Sequence, residues 1–300
     1  MTTVPKLFDS LAHRRNRQRA AASYEAFAFL KDEAALRLAD RVEVMRRDFP
    51  LCLDLGAHDG RLMQHLEPLG KIGHAITAEP AAAFATGKGT LSVVHDLASL
   101  PYQPASFDAV FSCLNLHWVD DLPGLLMQIR QILKPDGLCL VNFLGGNSLF
   151  ELRASLAEAE QEIIGGVHPR CAPMADIRDV GGLISRAGLA LPVADSDRVT
   201  VTYPDMFRLM RDLRGMGEQN ALAGRSRQPT RRSVFMRAAE IYAERFGCAD
   251  GGISASFELI TLTGWAPHAS QQKPLRPGSA KARLQDVLEG DPKADPAGQQ

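Results

Sequence analysis

The twelve residues FPLCLDLGAHDG, positions 49–60, constrain this chain more than any other stretch. Leu51, Cys52, Leu53 and Leu55 form a short apolar run between Pro50 and Gly56, the pattern of a central strand buried on both faces. Gly56 permits a tight turn and close backbone approach, and Gly60 does the same where the next helix begins. Strand, glycine turn and helix N-terminus together build a nucleotide-shaped recess at the carboxyl edge of a sheet. Asp54, at the strand end, is placed to hold a cationic or hydrogen-bonding ligand group. Glu79 closes the next apolar run (Ala75, Ile76, Ala78), about where an acid meets ribose hydroxyls. The turn departs from G-x-G-x-x-G: only Gly56 and Gly60 are present, with His58 between them.

The pattern of strand and helix continues along the chain. Arg61 to Leu69 reads as a helix with Leu62, Met63 and Leu66 inward, and a strand follows at 74–79. Residues 81–89 suit only a short or irregular helix. Leu91 to Val94 reads as a strand leading to Asp96, which could reach an adenine amino group while Leu97 packs on the ring; a cap for the next turn is the alternative. Phe107 to Leu114 is a fourth strand. Leu122, Leu125, Leu126, Ile129, Ile132 and Leu133 then recur at helical spacing, with Asp120 and Asp121 before them and Lys134-Pro135-Asp136-Gly137 as the stop. Leu138 to Phe143 is a fifth strand, and Val193 to Tyr203 and Ile253 to Trp265 hold the last two. Such alternation predicts a parallel, doubly wound α/β sheet.

The expected organisation is an N-terminal helical extension or lid at 1–45, a core at 46–204, a helical insertion at 205–250, a final core strand at 251–267 and a largely disordered tail at 268–300. The extension carries Arg14, Arg15, Arg17 and Arg19 beyond an apolar side of Leu7, Phe8 and Leu11. It reads either as a solvated helix face or as a lid over the recess. The insertion is rich in arginine, which suits a solvated face, an acidic partner or RNA.

Formal net charge is -1, which argues against generic nucleic-acid binding, so no DNA partner is expected. No apolar run approaches the ~20 residues of a membrane span, although peripheral association is left open. The start, MTTVPKLFDS, lacks the pattern of a signal peptide. Five cysteines are scattered without C-x-x-C spacing, and Cys52, Cys113 and Cys139 fall in predicted buried strands, as expected in a reducing compartment.

With these pieces in place, the order resembles that of class I S-adenosyl-L-methionine-dependent methyltransferases. DLGAHDG resembles their glycine motif, Glu79 their ribose acid and Asp96-Leu97 their adenine contact; SFDAVFSCLNLHW and LKPDGLCLV resemble their fourth and fifth strands. SCLNLHWVDDLPG, GGNSLFELRASLAEAE, YPDMFRLMRDLRGMGEQNA and the opening FDSLAHRRNRQRAA are more specific. They resemble the mitochondrial complex I assembly factor 5 family and its alphaproteobacterial relatives. The resemblance implies a Rossmann-like sheet, parallel with a final antiparallel strand, and S-adenosyl-L-methionine as cofactor. It implies a protein substrate in NADH dehydrogenase assembly, an iron–sulfur subunit above all, with arginine hydroxylation as the activity attributed to the family. It places the chain in a bacterial cytoplasm, or in the mitochondrial matrix if eukaryotic. A cousin is the malonyl-acyl-carrier-protein O-methyltransferase of biotin synthesis. Three readings follow: an enzyme acting on a protein, an ester-forming methyltransferase on an acyl carrier, and a cofactor-binding assembly chaperone without turnover.

The residues expected to bind cofactor are Asp54, Gly56, His58, Gly60, Glu79, Asp96, Leu97, Leu114 and Asn115. His58 should crowd the amino-acid end of the cofactor or swing outward, at a backbone cost of about 1 kcal/mol. His117 and Trp118, after the fourth strand, are the candidates at the reacting centre, as base or loop-orienting histidine and as pocket wall. Asp120, Asp121 or Glu151 could hold a guanidinium, although capping is the plainer role of the two aspartates. No histidine spacing suggests a metal site.

Overall fold

The computed structural model describes residues 6–85, 91–249 and 251–272. The chain divides into a compact unit, Met1–Pro267, and a second, His268–Gln300, of which only 268–272 are described. The expectation of a disordered tail falls almost wholly outside the described residues, as does the end of the short helix expected at 81–89.

Seven strands form one sheet: β1 Phe49–Leu55, β2 Ile72–Ala78, β3 Leu91–Val93, β4 Phe107–Cys113, β5 Leu133–Leu144, β6 Ala190–Tyr203 and β7 Ile253–Trp265. Their order is β3-β2-β1-β4-β5-β7-β6. The first five run parallel, while β7 is antiparallel to both neighbours. The order reverses at β1, so the carboxyl ends of β1 and β4 flank a switch point, where an open α/β sheet leaves a crevice for ligands.

Alternation along each strand feeds two cores. Cys52, Phe111, Leu140 and Phe257 face one layer, with α2 (Phe29–Glu43), α3 (Arg61–Leu66), α6 (Phe150–Ile164), α8 (Met206–Met216) and α9 (Arg232–Phe246). Leu53, Val110, Val141 and Ile260 face the other, with α5 (Leu122–Ile132) and α7 (Ile177–Arg186). α5 shows how local sequence sets an element. Asp121 accepts the Gly124 N–H at 2.8 Å, Pro123 occupies the first turn, and Leu125, Leu126, Ile129 and Ile132 are buried.

Several boundaries differ from expectation: β2 is Ile72–Ala78 rather than 74–79, and β6 starts at Ala190 rather than Val193. β5 begins at Leu133, so Lys134 to Gly137 belong to the strand; Phe107 pairs with Leu133 before a register shift, and Asp136 takes φ +64 to accommodate it. The insertion is two helices joined by an extended link. In that link Leu222 bridges Phe8 antiparallel, with Asp9 N–H to Ala221 C=O at 2.7 Å and Ala223 N–H to Leu7 C=O at 2.8 Å. The N-terminal segment and the insertion are thereby stitched together beside the strand ends. α1, Ser10–Ala20, follows from this stitch, capped by Asp9 through the Ala12 N–H at 3.0 Å.

Candidate active site

Gly56 takes φ +80 immediately after β1, and a Cβ there would stand 1.5 Å from the Asn115 side-chain nitrogen. Only glycine satisfies both the turn and the approach. Gly60, at φ +76, precedes α3. His58 takes the same left-handed region at φ +53, which is strained for a histidine. Its ring turns inward rather than outward and is buried, stacked on Tyr24 with centroids 5.2 Å apart. Burial, then the charges of Arg17 and Lys31, hold its pKa well below the ordinary histidine value.

Glu79 lies one residue past β2 and is almost fully enclosed. Its carboxylate accepts the N–H groups of His58 at 3.0 Å and Ala81 at 3.1 Å. It also receives Arg17 from the last turns of α1, Nε to Oε1 at 2.9 Å and Nη2 to Oε2 at 2.5 Å. This arginine is 0% exposed. Its remaining nitrogen reaches Asn115 Oδ1 at 3.4 Å and touches His58 Nε2. A second buried cation, Lys31 of α2, places Nζ 3.0 Å from the Gly56 carbonyl, 2.9 Å from the Cys113 carbonyl and 2.7 Å from His58 Nδ1. Asp54 is fully buried, and neither of its oxygens has a hydrogen-bond partner among the described residues. Burial raises its pKa to about 6 against the attraction of Lys31.

Asp96 is exposed after β3, where Oδ1 accepts the Ala98 N–H at 3.0 Å, so it does cap the next turn. With the buried Leu97 it lines a cavity of about 250 Å³ closed by Phe8, His13, Arg14 and Trp118. Leu114, at φ +48, gives its N–H to the Asn142 carbonyl at 3.0 Å. Asn115 is buried against Gly56, and its Nδ2 has no acceptor.

His117 and Trp118 lie on a 3-10 turn, Leu116–Trp118, and meet one acid that the sequence reading did not single out. His117 Nε2 is 3.1 Å and Trp118 Nε1 2.8 Å from Glu218 Oε2. Glu218 follows Gly217, whose φ of +85 ends α8 and aims the acid back at the sheet. Burial pushes its pKa up, but the charge and hydrogen bond of His117 bring it below the usual carboxylate range. The available signal was an acid directly behind a helix-ending glycine in MGEQNA. Glu218, His117 and Trp118 line a second cavity, about 290 Å³, whose other walls are mainly apolar groups such as Leu152, Met210 and Phe235.

The carboxylates offered earlier for a guanidinium have other work. Asp121 caps α5, Asp120 Oδ1 accepts the N–H groups of Leu7 and Phe8 at 2.9 Å each, and Glu151 is buried with the Ser256 N–H at 3.3 Å. Among the described residues no three His, Cys, Asp or Glu side chains gather as metal ligands, and no helix is long and apolar enough to cross a membrane.

The sheet order and glycine turn, with the match of residues 53–141 to a methyltransferase-domain family, define the class I S-adenosyl-L-methionine-dependent methyltransferase fold. A Bacillus halodurans structure provisionally assigned as a methyltransferase shares this fold. It is 12% identical, its TM-score is 0.53, and the match covers 78% of this chain and 99% of that one. More particularly, the chain belongs to the family of the mitochondrial arginine-hydroxylase NDUFAF5. It is 40% identical to the mouse protein over 299 residues, which cover 96% of this chain and 87% of that one. It is also 34% identical to the malonyl-[acyl-carrier protein] O-methyltransferase of Xylella fastidiosa, covering 87% and 89%.

The chemistry at the strand ends fits S-adenosyl-L-methionine: an unpartnered buried carboxylate at Asp54, an acid at Glu79, and two backbone carbonyls ready for an ammonium. In this closed arrangement the chain itself engages two of these groups, Arg17 holding Glu79 and Lys31 the two carbonyls.

Proposed function

We propose that this chain is an enzyme that binds S-adenosyl-L-methionine at Asp54, Gly56, Glu79, Asp96 and Leu97 and modifies an arginine side chain of a protein. The substrate we favour is an iron–sulfur subunit of NADH dehydrogenase under assembly. The observation that carries the acceptor is Glu218. One of its oxygens is shared by His117 and Trp118, and the other makes no hydrogen bond among the described residues, in the wall of a largely apolar cavity. A guanidinium needs a carboxylate in the wall of a slot that packs its alkyl stem, and this arrangement supplies both. The names of the relatives at about 40% identity support the same acceptor.

When bound, the cofactor supplies an electrophilic methyl on a sulfonium. The chain's own residues orient and exclude water: Glu218 fixes the acceptor, Trp118 lines the cavity beside it, and His117 positions Glu218. Hydroxylation of the same arginine needs an oxidant in addition. A second reading, an acyl-carrier methyl ester, is favoured by Arg170 in the same cavity, which pairs with Glu160 through Nη2 while its buried Nε has no acceptor among the described residues. Incubation with the subunit and, separately, with malonyl-acyl-carrier protein tests the assignment by intact mass. A gain of one oxygen or one methylene on an arginine of the subunit supports it. Modification of the acyl carrier alone replaces it with the second reading.

A further inference from the structure

The sheet order spreads the parts of an adenosyl ligand over successive strand ends. Asp96 and Leu97, after β3, mark the base end, and Glu79, after β2, the ribose. The carbonyls of Gly56 and Cys113, at β1 and β4, fall where the amino-acid part must lie. Two of these three places are taken by the chain itself. Arg17 spans both Glu79 oxygens, the acceptors that a ribose diol would use. The Lys31 ammonium holds the Gly56 and Cys113 carbonyls at 3.0 and 2.9 Å, contacts that an α-ammonium makes equally well.

We propose that Arg17 and Lys31 are resident occupants of the ribose and amino-acid subsites, exchanged for the cofactor, and that they set the affinity and selectivity of the site. The reading is independent of which acceptor is modified.

Two features of the closed arrangement favour exchange. His58 is caught between the two cations, with Lys31 Nζ on Nδ1 and Arg17 Nη1 on Nε2. A neutral imidazole accepts at one nitrogen only, so one of these contacts sets donor against donor. Release of either cation relieves it. α1 is also held mostly by polar contacts. Its buried residues are Ala12, His13, Arg17 and Ala20, with no large aliphatic side chain among them. With so little apolar burial, α1 depends on the buried Arg17–Glu79 pair, so a ligand that takes over Glu79 removes its main anchor, while the stitch through Phe8 and Leu222 keeps it tethered.

Calorimetric titration of the full chain with two probes separates the roles. S-adenosylmethionine needs both subsites, whereas 5′-methylthioadenosine lacks the amino-acid tail and needs only the ribose end. Arg17→Gln is expected to tighten both ligands by about tenfold or more, because the competent state no longer competes with the guanidinium. Lys31→Met is expected to tighten S-adenosylmethionine by a similar factor and leave 5′-methylthioadenosine unchanged. Weaker or unchanged binding by Arg17→Gln overturns the proposal, as does a Lys31→Met variant that treats the two ligands alike. Should either variant fail to fold, hydrogen exchange of the unmodified protein decides. Faster exchange at Ser10–Ala20 on saturation with S-adenosylmethionine supports displacement, and slower or unchanged exchange refutes it.

Discussion

At Glu218 an imidazole and an indole share one oxygen, and the role proposed for its twin is to receive a guanidinium. Glu218→Gln keeps the shape and removes the charge. A charge-assisted hydrogen bond is worth about 1.5–3 kcal/mol, so kcat/KM on an arginyl substrate should fall roughly 10–100-fold. Affinity for S-adenosylmethionine by calorimetry should not change, and an unaltered kcat/KM would place the acceptor elsewhere. Asp54 makes a prediction of opposite sign to that of an ion-paired carboxylate. Its folded pKa of about 6 lies above the ordinary 3.8, so ionising it costs more in the folded state than in the unfolded one. Its destabilising effect is absent below the unfolded value, grows as pH rises from there to about 6, and is complete above. Asp54→Asn should therefore raise Tm relative to the parent at pH 7.5 by more than at pH 4, a difference on the order of 2 kcal/mol. Equal shifts at both pH values would show that the native carboxylate is not strained.

Among the elements, periodicity made the helices and strands legible wherever the chain follows one rule. α5 and the five parallel strands read directly from apolar spacing. What resisted reading depends on partners far along the chain. Arg14, Arg15, Arg17 and Arg19 look alike in sequence, and only the fold turns Arg17 into the sheet crevice to meet Glu79, 62 residues away. Glu218 similarly gains its role from a histidine and a tryptophan about 100 residues earlier. His58 was noticed because it replaces an expected glycine, but its inward turn follows from Lys31 and Tyr24, which no local pattern announces. α8 shows the same dependence in its packing. A Cβ at Gly215 would come 2.3 Å from the Phe27 ring, so this helix and the 3-10 turn Ala21–Phe27 meet only through a glycine. Gly215→Val should cost about 1–3 kcal/mol in urea unfolding by forcing them apart. A neutral effect would mean that Phe27 moves freely aside.

For the molecule as a whole, burial and reactivity divide the five cysteines. Cys52, Cys113 and Cys139 are enclosed, and burial pushes each thiol up to about 12. Native protein treated with a thiol reagent at neutral pH should be modified at Cys171 and Cys248 first, with the other three reacting only on global unfolding. Cys171 borders the larger cavity, so a bound acceptor should slow its labelling specifically. Fast labelling of all five without denaturant would show that the sheet opens readily. The position of β7 has a consequence for biogenesis. It is the last strand among the described residues, yet it lies between β5 and β6 and supplies hydrogen bonds to both. A nascent polypeptide therefore leaves the edge of β5 unpaired while more than a hundred further residues are translated, with apolar groups such as Leu140 and Phe143 on that strand. The sheet closes only once β7 has emerged, so β5 is open to aggregation or chaperone capture throughout that interval.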